Sequence, residues 1–313
     1  MRSPIVVLSL LLTLGLVLYG CDRPAPEKAS EEASADKIGV MVSIVPQQYV
    51  VRQLGGDYVQ VESITPPNYS PETYQVTPRQ MDALGRAQVF CRIGMPYEET
   101  LVNRLSELFP SLIIVDTREG VSMLAMEEGG DHGHSEDSEE EHHHHHGDLD
   151  PHIWLDPLRV KIQAASIADA LKKCRPDQAA YFDENLKAFE EEMDRLHEEA
   201  SQILAPVKGK TFYVFHPAFG YFADSFGLEQ RAIESEGKSP GPRRLYAIIE
   251  ELKNTGARAL FEQPQFKAVE LNSVAAETGV SVILLDGLAA DYYENMIRMA
   301  RALAEHLQDE LEL

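Results

Sequence analysis

The stretch from Asp177 to Ala205 constrains this chain more than any other, because Phe182, Leu186, Phe189, Met193, Leu196, Ala200 and Ile203 recur at alternating steps of four and three with no Gly or Pro between them. Those steps put all seven on one face of an α-helix. Without a helix breaker, the segment is expected to be a single stiff strut, not a hinge.

The texture on either side of the strut is different. Short apolar runs alternate with helical periodicity: IGVMVSIVP (38–46), VQVESITPP (59–67), QVFCRIG (88–94) and LIIVDT (112–117) read as strands before it, and KTFYVFH (210–216), EQRAIES (229–235), ARALFEQP (257–264) and VSVILLDG (280–287) read as strands after it. Thr77-Pro78-Arg79-Gln80 carries the N-cap and first-turn proline that open a helix. The expected fold class is α/β: two βα lobes with mostly parallel sheets, joined by one long rigid helix. The lobes are expected at 37–176 and 206–313, with the helix at 177–205. Such an arrangement leaves a cleft between the lobes, and ligands of parallel sheets sit beyond the carboxyl ends of the strands.

The first thirty-six residues belong to neither lobe. Arg2 precedes an uncharged run from Ser3 to Tyr19 that ends at Gly20-Cys21 and then turns polar, the layout of a secretory signal over 1–20. A membrane span is the competing reading, but the run is short of the roughly 20 residues a span needs and lacks a basic flank. Leu18-Tyr19-Gly20-Cys21 resembles a bacterial lipobox, which would put a lipid on Cys21 and tie the protein to a membrane outside the cytoplasm. Residues 21–36, rich in Pro, Ala, Ser and Glu, then read as a flexible tether. The remaining cysteines, Cys91 in a strand-like run and Cys174 near a helix end, are either two unlinked small residues or a bridge.

A net charge of −23 argues against a nucleic-acid partner and permits a cationic one. Seven of the eleven histidines, His132, His134, His142, His143, His144, His145 and His146, lie among carboxylates in DHGHSEDSEEEHHHHHGDLD (131–150), a composition that suits borderline divalent ions. The run is internal and His132 and His134 extend it, which argues against an expression tag. A solvated loop over 127–148 must lose chain entropy to close on a metal, so it is expected to be an accessory to a preorganised site. Of the other four histidines, His197 on the strut and His306 in the C-terminal helix read as surface or stripe-edge residues. His152 and His216 adjoin Pro151 and Pro217, and His216 ends an apolar strand. Asp286 closes another strand, and Glu72 lies in PNYSPETYQVTP after a third. Glu72, His152, His216 and Asp286 together make a plausible four-coordinate metal site of two nitrogens and two oxygens.

These residues resemble the zinc and manganese class of ABC-transporter substrate-binding proteins. In that family the first ligand lies in Pro-His-x-Tyr-x-x-Thr-Pro, matched by Pro71-Glu72-Thr73-Tyr74-Gln75-Val76-Thr77-Pro78, and the second in Asp-Pro-His-x-Trp-x-Asp-Pro, matched in full by Asp150 to Pro157. The third is matched at His216-Pro217-Ala218-Phe219-Gly220-Tyr221-Phe222 and the carboxylate at Asp286. The resemblance covers the chain from about Lys37. It implies metal capture without catalysis and delivery to an importer made of a permease and its ATPase, by a protein expected to be a monomer. An acidic, His-rich loop before the second ligand is typical of the zinc-uptake members. Glu72 departs from the family histidine, and its oxygen shifts preference toward manganese or iron; His216 shifts it back, since manganese-type members tend to carry a carboxylate there. Zinc is therefore the expected cargo, with manganese or iron the alternative. Asp156 and Glu262 are candidates to orient the ligand imidazoles, or else capping and salt-bridge groups. Two other readings compete: a zinc-dependent extracytoplasmic hydrolase, for which HExxH is missing from the sequence, and an adhesin that only buffers metal with its loop.

Overall fold

The computed structural model describes residues 37–126, 149–234, 240–266 and 269–308. The first sheet comprises β1 (Ile38–Val42), β2 (Val59–Ser63), β3 (Val89–Arg92) and β4 (Ile113–Asp116), in the order β2-β1-β3-β4. The second comprises β5 (Thr211–Val214), β6 (Glu229–Ala232), β7 (Ala259–Glu262) and β8 (Ser281–Leu284), in the order β6-β5-β7-β8. Every pairing is parallel, with registers such as Val40 opposite Val89 and Tyr213 opposite Leu260. The central strands β3 and β7 are buried along most of their length, while the edge strands β2 and β6 mix buried and exposed residues. Both sheets lie within one compact unit, Lys37–Leu313.

Helices fill the crossovers: α1 (Val45–Gly55), α2 (Pro78–Arg86), α3 (Glu98–Leu108), α4 (Pro157–Cys174), α5 (Ala179–Leu204), α6 (Gly220–Phe226), α7 (Pro242–Thr255), α8 (Val269–Thr278) and α9 (Tyr292–Leu307). Thr77 caps α2 as its sequence requires, its side chain accepting from Gln80 N. The strut is α5, 26 residues and therefore about 39 Å long at 1.5 Å per residue. Its stripe is buried at Phe182, Phe189, Met193, Leu196, Ala200 and Leu204. It packs on α1 and α4 from the first half and on α9 from the second. Asn185 donates to Leu54 O at 2.9 Å on one side, and Tyr293 donates to Glu199 at 3.1 Å on the other. One apolar cluster runs from Val40 and Val89 through Phe182 and Phe189 to Phe212, Phe261 and Met296, so the helix is clamped between the two sheets.

The first strand is shorter than its apolar run. β1 ends at Val42, where the chain turns into α1 with Pro46 in its first turn; Ser43 N donates both to Gln47 Oε1 at 3.0 Å and to Cys91 O at 3.2 Å. Cys91 in β3 and Cys174 at the end of α4 are unlinked. Among the described residues no helix is long and apolar enough to cross a membrane. Cys21 and the signal and tether, 1–36, lie outside the described residues, as do His132, His134 and His142 to His146.

Candidate metal centre

Each residue of the centre follows the carboxyl end of a strand. Glu72 comes after β2, between the buried Pro71 and the capped start of α2. His152 comes after β4, in a segment pinned on both sides: Asp150 N donates to Leu124 O at 2.9 Å, and Tyr221 Oη donates to Asp150 O at 2.8 Å. The residues that follow lock this segment to the second half of the molecule. Trp154 Nε1 donates to Gly287 O and Tyr292 Oη donates to Trp154 O, both at 2.7 Å. Asp156 accepts from Leu158 N to cap α4 and pairs with Arg159, so its part is capping, not orientation of an imidazole. Glu262 ends β7, where its carbonyl accepts from Leu285 N.

His216 lies just beyond β5, the central strand at which the order of the second sheet reverses. Gln263 grips its backbone, with Nε2 donating to His216 O at 2.6 Å and Oε1 accepting from His216 N at 3.3 Å. Its ring stacks on Phe266 with centroids 4.6 Å apart.

Three ligand atoms converge from these positions: Glu72 Oε1 is 3.0 Å from His216 Nε2 and 3.6 Å from His152 Nε2, and the two Nε2 atoms are 3.4 Å apart. Four-coordinate zinc with bonds of about 2.0–2.1 Å spaces its ligand atoms about 3.3–3.4 Å apart, and the triangle's edges of 3.0, 3.4 and 3.6 Å lie within about 0.4 Å of that spacing. Both histidines are held by carboxylates on the opposite ring nitrogen. Asp150 Oδ1 meets His152 Nδ1 at 2.7 Å and also accepts from His152 N, and Glu234 holds His216 Nδ1. A carboxylate on Nδ1 keeps the proton there and leaves the Nε2 lone pair for a metal.

The electrostatics fit a site built for positive charge. Burial opposes charging His216, but hydrogen bonds to Glu234 and Glu72 and their negative charges outweigh it and push its pKa up to about 9. Burial also opposes charge on Glu72, yet the His216 hydrogen bond and the charges of His216 and His152 hold its carboxyl below the ordinary carboxylate range. Glu72 is the outermost of the three, 18% exposed against 5% for His216.

The structure brings together three of the four expected ligands and not the fourth. Asp286 follows β8, but its Oδ1 accepts from Gln265 Nε2 at 3.0 Å and from Leu288 N at 2.9 Å, and it stands outside the group formed by Glu72, His152 and His216. His197 stacks on Phe226 and His306 bonds to Ala302 O, both half-buried on their helices, in keeping with the structural roles expected of them. Asp150 and Glu234 were not singled out by their sequence. Asp150 could have been found from its place two residues before a ligand histidine; Glu234 depends on β6 lying beside β5.

Residues 40–306 match the family described as zinc-uptake complex component A, periplasmic. A curated relative, the high-affinity zinc uptake system protein ZnuA of Brucella abortus, is 32% identical over 88% of this chain and 92% of its own. A crystal structure of ZnuA superposes with a TM-score of 0.79 at 35% identity, over 87% of this chain and 100% of its own. A ZnuA deletion mutant with zinc bound gives 0.79 at 34%, over 88% and 100%.

Proposed function

This chain belongs to the family of periplasmic zinc-uptake component A proteins, and from that premise we propose that it captures a zinc ion outside the cytoplasm and hands it to an ABC-type importer. The observation that carries the reading is the triangle of Glu72 Oε1, His152 Nε2 and His216 Nε2, matched in its edges to tetrahedral zinc. Glu72 and His152 come from the first half of the chain and His216 from the second, so the ion is gripped between them. Asp286, whose Oδ1 accepts from Gln265 Nε2 and Leu288 N, stands outside that triangle. The charged oxygen of Glu72 keeps manganese or iron as the second reading of the cargo.

The space available supports capture without catalysis. The cavity beside the ligands, lined by Trp154, Leu155, Phe266 and Leu288 among others, has a volume of about 20 Å³, room on the scale of one water molecule. A hydrolase needs room for a scissile bond next to the ion. The permease and its ATPase are the receiving partners, and a lipid on Cys21, with residues 21–36 as tether, would keep the protein at the membrane. The loop over 127–148 is an accessory that raises the local metal concentration.

Metal content tests this reading. Protein lacking residues 127–148, purified without added metal, is expected to hold one tightly bound zinc, and Glu72→Ala or His216→Ala in that background is expected to lose it. Full zinc content in both variants would refute the site, and loss of tight binding on deleting the loop alone would move the function to the loop.

A further inference from the structure

Three buried side-chain polar atoms among the described residues lack a hydrogen-bond partner: Arg92 Nε, Arg244 Nε and Ser70 Oγ. The two arginines are compensated, since Arg92 Nε lies 3.5 Å from Asp116 and 3.6 Å from Glu98, and Arg244 donates through Nη2 to Ala232 O at 3.0 Å. For Ser70 the hydroxyl is the whole polar capacity of the side chain. It stands two residues before Glu72, with the buried Pro71 fixing the backbone between them, and it lines the same cavity as Glu72, His152 and His216. Native proteins rarely leave a buried hydroxyl unpaired, because it has given up water and gained nothing in return.

The partner therefore comes from whatever fills the cavity. A bare metal ion neither donates nor accepts a hydrogen bond, and a neutral serine hydroxyl is outside the Cys, His, Asp and Glu groups that hold zinc in proteins. An oxygen ligand carried by the ion meets the need. Three protein atoms fill one face of a tetrahedron and leave its apex, and the cavity has room on the scale of one water. We propose that Ser70 is a positioning residue of the capture site, its hydroxyl hydrogen-bonding a water that the captured ion keeps as its fourth ligand. This rests on the capture reading above. It adds the statement that the ion is not fully stripped of water, and that a hydroxyl on the Glu72 loop slows its release.

The test uses the full-length protein with zinc and, as a spectroscopic stand-in, Co2+. Ser70→Ala is expected to weaken zinc binding about tenfold, at the low end of what loss of a group supporting a metal ligand costs, mainly through faster release. Ser70→Thr, which keeps the hydroxyl, is expected to stay within about twofold of the parent. The electron paramagnetic resonance lines of the Co2+-loaded parent are expected to broaden in 17O-enriched water. Unchanged zinc affinity in Ser70→Ala, or no 17O broadening in the parent, would overturn the proposal, the second result assigning the fourth place to a protein group such as Asp286. His216→Ala separates the two levels: if it also keeps parental affinity, the capture reading has failed, whereas loss in His216→Ala with none in Ser70→Ala rejects Ser70 alone.

Discussion

The two sheets share a strand order and even the hydrogen bonds that continue past their strand ends, yet those ends are put to different uses. Ile64 N donates to Val42 O at 2.8 Å in the first sheet, as Ile233 N donates to Val214 O at 2.9 Å in the second. One residue further, Thr65 N meets Ser43 O and Glu234 N meets Phe215 O, each at 3.0 Å. Thr65 thus occupies the place of Glu234, and Ile44 the place of His216. In the first sheet this corner is closed from within: the Glu98 carboxylate accepts from Gly94 N at 2.7 Å, Ile93 N at 3.1 Å and Ser43 Oγ, while Gln47 Oε1 takes Ser43 N at 3.0 Å. In the second, Glu234 bonds one side of an imidazole and leaves the other side aimed at the cleft. The point where strand order reverses is a ready ligand site in both sheets. One copy has been filled with structure and the other kept for the ion, so the first sheet serves the centre only through the loops that carry Glu72 and His152.

Removing the two corners in turn separates binding from stability. His216→Ala deletes a direct ligand and is expected to cost zinc affinity more than the roughly 100-fold upper end for supporting groups. Glu98→Ala is expected to act on stability alone. It strands the N–H groups of Ile93 and Gly94, while Ser43 Oγ keeps its bond to Cys91 O at 3.3 Å; the cost is about 3 kcal/mol, and zinc affinity in the protein that remains folded stays parental. Urea unfolding and zinc titration on both variants check the pair; zinc affinity lost along with stability in Glu98→Ala would mean that the two corners are coupled.

The same contrast explains what could be read from the residues. Parallel strands buried on both faces leave unbroken apolar runs such as VFC and ALF, so the strands and the strut that joins the two halves are legible. Their ends are less so, because the apolar pattern runs on past Val42 into the residues that open α1. His152 and His216 show themselves by lying beside prolines, His216 also at a strand end, and Glu72 by its motif. Glu234 cannot be recognised that way: its bearing on His216 exists only because β6 pairs with β5, a long-range fact with no local trace. Asp286 lies at its expected place after β8, outside the triangle of the other three; a sequence gives a residue's place on a strand end and not the neighbours that bond it, here Gln265 and Leu288 at Oδ1.

Glu234 also sharpens the comparison through protons. With its pKa raised to about 9 against an ordinary value of 6.5, His216 favours the folded metal-free protein most at pH below about 6.5, and this contribution is lost as pH rises through 9. An ion that takes Nε2 must displace that proton, so zinc binding at pH 7.5 is expected to release close to one proton, and affinity is expected to rise with pH across the same window. Titration calorimetry in buffers of different ionisation enthalpy measures the release. Glu234→Gln removes the charge that supports the proton, so release is expected to fall well below one while affinity drops about tenfold as the imidazole loses its anionic support. Full proton release in Glu234→Gln would show that Glu234 is not what holds the proton on His216.

The smallest effect expected comes from the partner that orients the other histidine. Gly220 begins α6, and a Cβ built there would stand 2.8 Å from Asp150 Oδ2, closer than such contacts are tolerated. The aspartate would have to yield, but Asp150 is held by its own backbone bonds to Leu124 and Tyr221 and by two bonds to His152. The displacement therefore passes to the His152 ring, tilting Nε2 away from the triangle without removing any ligand. Gly220→Ala is expected to weaken zinc binding about threefold to tenfold, at or below the low end of the cost of disturbing a supporting carboxylate, and to leave proton release from His216 untouched. If it altered proton release as much as affinity, the two histidines would be gripping the ion as one coupled unit and not as separate arms, each braced by its own carboxylate.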